Sequence, residues 1–401
     1  MITPVCERVV TDALRCGRGI LKFISPNDVG QTGSHQCGYY LPVRAWKLYS
    51  PHPPDDGVNA ESEVRIIWQD GRETSSRIKW YGKGTRHEFR LTRFGRDFPW
   101  LKADNIGNLL ILIPEKSSEF QGYVLDTEED IEFLEESLGI EFVNNWAVYD
   151  PENIVGMGTA EENEELCIQR WFNRNVSHLT DFPSTSDLSN MAWDVIGECI
   201  RGYMSCSLDN QLIKARDIEY ELFKEVERTY CRRMINKAFD SVDDFLKAAS
   251  SIMNRRKARA GRSLEYIVRR ILINSGLRED EHFEFQPNID GIPDFIFPNT
   301  QAYYDSTYPD SGIVVLAVKT TCKDRWRQIL NEAKRIKEKH LLTVQQGISE
   351  KQLQEMKESN VTLIVPESLH KMYPSCVRSS LLTVEDFVRK VLDVTHGCSN
   401  S

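Results

Sequence analysis

Two short apolar segments in the C-terminal half of the chain constrain its fold most strongly. One follows Asp294 and reads Phe-Ile-Phe, and the other, Ile-Val-Val-Leu-Ala-Val at 313–318, leads directly into Lys319. Both have the length and composition of buried β-strands. If they pair as neighbouring strands, they bring the Asp294 carboxylate close to the Lys319 ammonium. The sequence therefore predicts a charged pair at the end of an otherwise apolar sheet.

An acid and a lysine placed in this way are typical of centres that hydrolyse phosphodiesters. That reaction uses oxygen ligands for a hard divalent cation and positive charge that neutralises the phosphate. A second acid commonly precedes the lysine by two residues, on the same face of the strand, but Ala317 stands there. We expect Glu332 to replace it, at the edge of an apolar stripe on a helix predicted over residues 324–339. A turn-forming aspartate and a lysine that reaches solvent would give the same pattern, so the residues alone leave both interpretations open.

The charge of the chain is unevenly distributed. Its formal net charge is −10, but residues 117–169 contain no Lys or Arg and carry much of the acid. Two clusters elsewhere are basic. They consist of Lys79, Lys83, Arg86, Arg90, Arg93 and Arg96, and of Arg255, Arg256, Lys257, Arg259 and Arg262. Such clusters can neutralise the phosphates of a nucleic acid, although a solvated surface produces the same pattern.

Gly, Pro, Asn and Asp residues divide the chain into two predicted domains. Residues 1–150 are predicted to be mostly β with a helix over 128–137, residues 151–185 to form an acidic linker, and residues 186–398 to form an α/β domain. Helices are predicted in the second domain over 186–203, 217–239, 242–253 and 264–275. They are followed by strands predicted near Phe295, Val315, Leu342 and Leu363.

The remaining composition argues against several classes of protein. No long uncharged apolar run indicates a membrane span, and the N-terminus lacks the basic and then apolar pattern of a signal peptide. The 10 cysteines form no Cys-x-x-Cys pair. We therefore expect free thiols rather than a zinc ribbon or a disulfide framework.

Several long blocks of the chain resemble EcoRII-type restriction endonucleases. The blocks cover residues 27–36, 254–265, 293–298, 316–332 and 365–374, in the same order as in that family. The family belongs to the PD-(D/E)XK nucleases, with the second acid moved onto the helix that follows the lysine. The resemblance therefore implies a B3-like pseudobarrel in the N-terminal domain and a restriction-endonuclease-like fold in the C-terminal domain. It also implies Mg²⁺-dependent cleavage of double-stranded DNA at a CCWGG-like sequence.

The same resemblance implies the residues of the catalytic centre. Asp294 and Glu332 would bind the metal, Lys319 would orient the attacking water, and Lys323 would add positive charge. Glu265 is carried over as a supporting acid. An acid in the first turn of the helix predicted over 264–275 would also be favoured by the helix dipole, so that alternative stays open.

The resemblance further implies which residues contact DNA. Arg216 and Tyr220 would hold bases extruded from the duplex, and Glu219 and Lys257 would lie on the same surface. The residues alone equally permit an ordinary surface pair between Arg216 and Glu219. One arm of the N-terminal domain would carry Asn27, Asp28, His35 and Gln36, and the other Arg86, Glu88, Arg90 and Arg93.

The implied assembly is a homodimer that forms through the C-terminal domain, engages two or more recognition sites and acts in the cytoplasm of a prokaryote. The N-terminal domain would bind one of these sites as an effector. A separate hypothesis concerns regulation: the acidic stretch 117–169 carries the same sign of charge as DNA, so the N-terminal domain would cover the basic catalytic cleft until effector DNA binds. Two other classes stay open: a DNA-binding regulator with an inactive nuclease fold, and a repair or junction nuclease.

Overall fold

The computed structural model describes residues 2–31, 37–83, 87–116, 118–140, 142, 145–150, 162–236, 239–323 and 325–397. The chain divides into two units. The first comprises Met1–Met157, Gln345–Gln354 and Lys371–Ser379, and the second comprises Gly158–Val344, Glu355–His370 and Ser380–Ser401. Short segments from the C-terminal part of the chain thus belong to the unit that the N-terminal part builds.

The N-terminal part of the chain consists mainly of strands. Its helices are α1 (Pro4–Cys16) and α2 (Glu128–Leu138), and 3-10 helices lie at Val43–Leu48 and Ala103–Asn105. Its strands are β1 (Gly19–Phe23), β2 (Tyr39–Leu41), β3 (Asn59–Trp68), β4 (Glu73–Tyr81), β5 (Glu88–Thr92), β6 (Leu109–Lys116), β7 (Glu119–Leu125) and β8 (Trp146–Tyr149). The predictions of a mostly β domain and of a helix near 128–137 are confirmed.

These strands form one sheet with a core on each face. Their order is β2-β5-β4-β3-β7-β6-β1-β8, and the β3–β7 pair is parallel. All of β1 is buried because its successive side chains point into different cores. Ile20 packs into the core on one face, whereas Leu21 and Phe23 pack with residues of α1 and α2 on the other.

The C-terminal part of the chain begins with long helices and continues into a smaller sheet. Its helices are α3 (Glu162–Asn175), α4 (Thr185–Cys199), α5 (Leu208–Ile235), α6 (Val242–Asn274), α7 (Thr300–Tyr304), α8 (Glu350–Glu358), α9 (Glu367–His370) and α10 (Val384–Gly397). Its strands are β9 (Glu284–Phe285), β10 (Phe295–Phe297), β11 (Val314–Lys319), β12 (Lys339–Thr343) and β13 (Val361–Ile364). Short 3-10 helices lie at Tyr203–Ser205, Asp310–Gly312, Arg325–Asn331 and Arg378–Ser380. Within the described ranges, every helix is too short or too polar to cross a membrane.

The smaller sheet has the strand order β13-β12-β11-β10-β9. β10 runs antiparallel to β9 and β11, whereas β11, β12 and β13 are parallel to one another. Parallel strands are usually buried on both faces, which explains the continuous apolar run that precedes Lys319. The predicted α/β fold and the strands near Phe295, Val315, Leu342 and Leu363 are confirmed.

Some predicted elements differ from the structure. The helices predicted over 242–253 and 264–275 are one helix of 33 residues, because most of the residues between them are Arg, Lys and Ala, which are good helix formers. The helix predicted over 324–339 does not form: a 3-10 helix covers Arg325–Asn331, and Ala333 has a φ of 43° that ends the helical path. Part of the predicted linker, Glu162–Asn175, is helical. The domain boundaries at 150 and 185 stay predictions.

A disulfide joins Cys167 of α3 to Cys199 of α4, with their Cα atoms 5.5 Å apart. The expectation of free thiols is therefore wrong for this pair. The packing of α3 against α4 brings together two cysteines that are far apart in the sequence. The other cysteines of the described ranges form no disulfide.

His340 of β12 is buried beside two charged side chains. Lys390 of α10 donates to its Nε2 at 2.8 Å, and a Glu338 oxygen lies 3.4 Å from the same atom. Burial, and then the positive charge of Lys390, lowers the pKa of the imidazole to about 4. The ring is therefore neutral near pH 7 and accepts a hydrogen bond from the ammonium, so its contact with Glu338 is not an ion pair.

We expect His340 to make the folded state less stable as the pH falls. Its pKa of about 4 in the folded chain lies below the ordinary value of about 6.5, so the unfolded chain takes up the proton first. The contribution of His340 to the free energy of unfolding is complete above about pH 6.5. As the pH falls from the higher pKa to the lower one, this contribution decreases by up to about 1.4 kcal/mol per pH unit. Urea unfolding of the parent and of His340→Gln at neutral and mildly acidic pH measures the difference. The same pH dependence in both proteins would contradict this assignment.

Candidate active site and DNA-binding residues

Asp294 and Lys319 meet at the end of two paired strands. Phe295 of β10 lies opposite Leu316 of β11 in an antiparallel register, so Asp294 comes beside the last residues of β11. Its Oδ2 accepts hydrogen bonds from the Val318 backbone N at 2.6 Å and from Lys319 Nζ at 3.2 Å. The predicted proximity of the acid and the lysine is confirmed.

Glu332 approaches this centre from a turn and not from a helix. It follows the 3-10 helix directly, and the next residue, Ala333, donates its N–H to Asp290 O at 2.7 Å. The positive φ of Ala333 costs about 1 kcal/mol, so tertiary contacts must hold this turn. Burial raises the pKa of Glu332 to about 7; the charge of Lys319 opposes that rise, and the charge of Asp294 adds to it.

Glu265 lies in the middle of α6 and is buried near the same acids. Its Oε2 accepts a hydrogen bond from Gln286 Nε2 at 2.9 Å. Burial, and then the charge of Asp294, raises the pKa of Glu265 to about 7. Because α6 begins at Val242, Glu265 is not in a first helical turn. The interpretation through the helix dipole is therefore wrong.

The donor atoms of this centre suit a hard divalent cation. Carboxylate oxygens are the ligands that Mg²⁺ takes in proteins. Glu265 and Glu332 each have a pKa of about 7, because burial and the charge of Asp294 oppose their ionisation, and a bound cation would relieve this crowding of negative charge. Lys323 lies half-buried in the loop that follows β11. Among the described residues, no group of three or more His, Cys, Asp or Glu side chains lies close enough together to hold an ion. The case for a divalent cation at this centre therefore depends on the chemistry and the charge of its carboxylates.

Residues that hold the Glu332 turn were not predicted. Lys339 Nζ donates to Glu332 O at 2.5 Å and to Ala333 O at 2.7 Å. Gly291 packs against the Glu332 backbone. Nothing in the residue pattern indicates these contacts, since a lysine at the start of a strand ordinarily extends into solvent.

Glu219 of α5 is completely buried. Its Oε2 accepts from Arg259 Nε at 3.0 Å, and the Arg259 guanidinium lies 5.0 Å from the centre of the Tyr220 ring. The predicted direct contact of Glu219 with DNA is therefore corrected, because its exposed fraction is 0% and its carboxylate is bound to an arginine of α6. The alternative of a surface pair with Arg216 is also wrong, since both side chains are buried. Tyr220 itself is half-buried.

The arginines of the basic cluster in α6 largely face the protein interior. Arg256 Nε and Nη2 donate to the two carboxylate oxygens of Glu227 at 2.7 and 2.8 Å. Arg255 lies near the rings of Phe182 and Tyr230, at 4.9 and 4.8 Å from their centres. The acids of α5 thus meet the arginines of α6 along two antiparallel helices.

Only part of this cluster is available to bind phosphate. Lys257 and Arg262 are exposed, whereas Arg255, Arg256 and Arg259 stabilise the packing of α5 against α6. The interpretation of the whole cluster as a phosphate-binding surface is therefore corrected. The sequence does show acids on α5, but only the packed structure pairs Glu227 with Arg256 and Glu219 with Arg259.

Asp28 is buried in an ion pair. Its Oδ2 accepts from Lys22 Nζ of β1 and from the Ser25 backbone N at 2.8 Å, and its Oδ1 accepts from the Tyr40 backbone N at 2.7 Å. Burial lowers the pKa of Lys22, and the charge of Asp28 opposes that decrease. The predicted contact of Asp28 with DNA is corrected, because its exposed fraction is 0% and its carboxylate neutralises a buried lysine.

The other residues predicted to lie on the two arms differ in their exposure to solvent. Asn27 and Glu88 are half-buried, and Arg93 is exposed. Arg90 is 5% exposed, and its Nε donates to Glu88 Oε1 at 2.8 Å. Three further predictions fall outside the described residues: His35, Gln36 and Arg86.

Comparison with known proteins gives matches along most of the chain. The family model described as "Restriction endonuclease EcoRII, N-terminal" covers residues 18–153, and the model described as "EcoRII C terminal" covers residues 223–388. The type II restriction enzyme EcoRII of Escherichia coli is 35% identical over 395 residues, which cover 92% of this chain and 93% of that enzyme. SsoII of Shigella sonnei is 23% identical over 216 residues, which cover 47% of this chain and 70% of that enzyme. A solved structure of metal-depleted Ecl18kI in complex with uncleaved, modified DNA has a TM-score of 0.46 and 18% identity, covering 59% of this chain and 86% of that one.

The fold, the charged centre and these matches define a restriction endonuclease, a hydrolase that cleaves DNA. Its β domain precedes an α/β domain in which Asp294 and Lys319 meet at the end of the sheet. The chain belongs to the EcoRII family of type II restriction enzymes. The resemblance inferred from the sequence blocks is thereby confirmed.

We expect Asp28→Ala to destabilise the N-terminal domain by about 3–5 kcal/mol, because the Lys22 ammonium stays buried without its partner. Asp104→Ala, which removes an exposed aspartate of the same domain, is the control and should cost less than about 1 kcal/mol. Urea unfolding of both variants measures the difference. A fully stable Asp28→Ala protein with weakened DNA binding would return Asp28 to the DNA-binding surface.

Proposed function

We propose that this protein is a type II site-specific deoxyribonuclease that cleaves double-stranded DNA at a CCWGG-like sequence with Mg²⁺. Membership of the EcoRII family supports DNA cleavage by a restriction enzyme. The finer proposal depends on one observation: Asp294 accepts from Lys319 Nζ at 3.2 Å, and Glu265 and Glu332 are close enough for the charge of Asp294 to raise the pKa of each. Acids and a lysine arranged in this way supply the metal ligands and the positive charge that phosphodiester hydrolysis needs.

In the proposed mechanism, Asp294 and Glu332 would hold the metal ion. Bound Mg²⁺ would polarise the scissile phosphate and lower the pKa of a bound water. Lys319 donates from Nζ to the attacking water, so it orients the attack and stabilises the charge that develops on the phosphate. Lys323 adds a further positive charge. Glu265, with a pKa of about 7, can hold or release a proton at its carboxylate near neutral pH.

The two domains contact DNA through different residues in this proposal. In the C-terminal domain, Tyr220 and Arg216 hold extruded bases and Lys257 contacts phosphate. Arg216 is only 7% exposed, so its side chain must turn outward to reach a base. Glu219 acts indirectly, because it holds Arg259 against the Tyr220 ring. The arms of the N-terminal domain bring side chains suited to base edges: Asn27, His35, Gln36, Arg86, Glu88, Arg90 and Arg93.

The proposed assembly follows from the symmetry of the substrate. A duplex has two antiparallel strands, and the centre described above attacks one of them, so a homodimer formed through the C-terminal domain would cut both. The N-terminal domain binds a further copy of the recognition sequence and restrains cleavage until that copy is bound. The acidic stretch 117–169 favours such restraint, because it has the same sign of charge as DNA. The enzyme acts in the cytoplasm of a prokaryote.

Lys319→Ala is expected to slow cleavage by at least about 100-fold and to leave specific DNA binding nearly unchanged, because the lysine acts mainly in the transition state. Plasmid digestion with Mg²⁺ measures cleavage, and a gel-shift assay without Mg²⁺ measures binding. Lys337→Ala removes an exposed lysine from the connection between the 3-10 helix and β12 and is the matched control. Cleavage by Lys319→Ala at the parental rate would show that the mechanism is wrong.

The same digestion separates the alternative functions. Discrete fragments that end at mapped CCWGG sites support a site-specific restriction enzyme. Specific binding by the parent protein without cleavage supports a regulator with an inactive nuclease fold. Cuts confined to mismatches or branched DNA support a repair or junction nuclease.

Restraint by the N-terminal domain predicts activation by a second piece of DNA. A plasmid with one recognition site should be cut slowly, and a short duplex that carries the site should raise the rate roughly tenfold, since effector and substrate binding are then coupled. A duplex of the same length with a scrambled site is the control. Equal rates with both duplexes would contradict the proposed effector role.

A further inference from the structure

The turn that carries Glu332 is held by residues that no sequence motif includes. We propose that Gly291 and Lys339 are positioning residues that set the place of the Glu332 carboxylate relative to Asp294. This inference rests on the proposed role of Glu332 as a metal ligand.

The backbone at Glu332 lacks the internal support of a helix. The 3-10 helix ends at Asn331, and Ala333 takes a φ of 43°, which alanine rarely adopts. A residue keeps that conformation only where several contacts from the surrounding structure hold it there. The position of Glu332 therefore depends on contacts from other parts of the chain.

The first contacts come from the loop at 290–294, which leads into Asp294. Asp290 O accepts from Ala333 N at 2.7 Å, and Asp290 Oδ2 accepts from Lys334 N at 3.0 Å. Tyr303 donates its hydroxyl to Asp290 Oδ1 at 2.5 Å and so fixes that carboxylate. One short loop thus supports both proposed metal ligands.

Gly291 allows this loop to touch the backbone of the turn. Its φ is +76°, and a Cβ built there would lie 2.5 Å from Glu332 Cα and 2.7 Å from Asn331 O. Both atoms belong to the backbone, so rotation of a side chain cannot make room for a methyl group. Any larger residue at 291 must therefore widen the separation between this loop and the Glu332 backbone.

Lys339 holds the same turn from the start of β12. It is 4% exposed, and its Nζ donates to Glu332 O at 2.5 Å and to Ala333 O at 2.7 Å. A buried ammonium needs acceptors, and carbonyls outside a helix need donors, so each partner satisfies the other. Loss of the ammonium would leave both carbonyl groups without this donor.

The proposed metal makes this positioning important for function. Mg²⁺ requires near-ideal ligand geometry, and a site tolerates displacements of only about 0.5 Å. Asp294 is fixed separately by Val318 N and Lys319 Nζ. A shift of the Glu332 backbone would therefore move one ligand and leave the other in place. We expect metal affinity to fall while DNA affinity without metal is kept.

Gly291→Ala tests this contact, and Gly202→Ala is its matched control. Gly202 has a φ of +72°, but nothing lies within 4 Å of a Cβ built there. Both variants carry the strain of an alanine at positive φ, and only Gly291→Ala displaces Glu332. Electron paramagnetic resonance of Mn²⁺ added to the full-length protein–DNA complex reports metal binding without relying on cleavage.

We expect the Mn²⁺ Kd of Gly291→Ala to rise at least about tenfold, and Gly202→Ala to match the parent, because only the first variant disturbs ligand geometry. DNA affinity without metal should stay parental in both. Lys339→Met keeps much of the buried volume, removes both hydrogen bonds and should weaken Mn²⁺ binding in the same way. Lys337→Met, at an exposed position of the same connection, controls for the replacement of a lysine by methionine. Lys339→Met also provides the test if Gly291→Ala fails to fold.

Parental Mn²⁺ affinity in Lys339→Met and in a folded Gly291→Ala would overturn the inference. Equal losses in Gly291→Ala and Gly202→Ala would do so as well, since backbone strain alone would then explain them. Glu332→Gln separates the inference from the proposed function. If Glu332→Gln binds Mn²⁺ and cleaves DNA like the parent, Glu332 is not a ligand and the mechanism given under the proposed function is wrong. If Glu332→Gln loses Mn²⁺ while the positioning variants keep it, only the positioning role is wrong.

Discussion

The burial of like charges at the end of one small sheet is the constraint on which the catalytic domain depends. Asp294 shares one carboxylate oxygen between the Val318 backbone N and Lys319 Nζ. Glu265 and Glu332 have pKa values of about 7 because they are buried and lie near the charge of Asp294. The three acids come from the loop before β10, the middle of α6 and the turn after the 3-10 helix. The centre therefore exists only when these separate elements have packed together, and this arrangement of charge suits a divalent cation.

Buried charges also hold the framework around the functional surfaces. Lys22 and Asp28 form an ion pair beneath the predicted N-terminal arm, and Glu219 binds Arg259 beside Tyr220. Removal of one partner from such a pair leaves an uncompensated charge, which costs far more than an exposed pair contributes. Some charged residues that the sequence assigned to DNA contact are thus bound to neighbouring side chains instead. This explains why the basic cluster in the sequence suggested a larger phosphate-binding surface on α6 than the structure leaves exposed.

Local pattern was sufficient for much of the fold and for the first part of the proposed catalytic centre. Apolar runs and alternation located β10 and β11, and their pairing brought Asp294 to Lys319 as predicted. The apolar stripe near Glu332 was real but did not produce the predicted helix. Ala333 takes a positive φ there because Asp290 and Lys339 bind the backbone of the turn. Helical spacing cannot reveal such contacts, since they join residues that are distant in the sequence. Similarly, the arginines of α6 were visible in the sequence, whereas their buried acidic partners on α5 were recognised only after the two helices had packed.

The sequence by itself determined the mostly β N-terminal part, the α/β C-terminal part with the strands of its sheet, the place of Asp294 beside Lys319 and the resemblance to the EcoRII family. These features depend on short-range periodicity and on residue identity, which a linear chain displays directly. Only the tertiary structure decided which charges are buried, that Glu265 lies in the interior of one long helix, and how Glu332 is held without a helix of its own. Burial and long-range hydrogen bonds decide these points, because the environment of a carboxylate is set by side chains and backbone atoms from other segments.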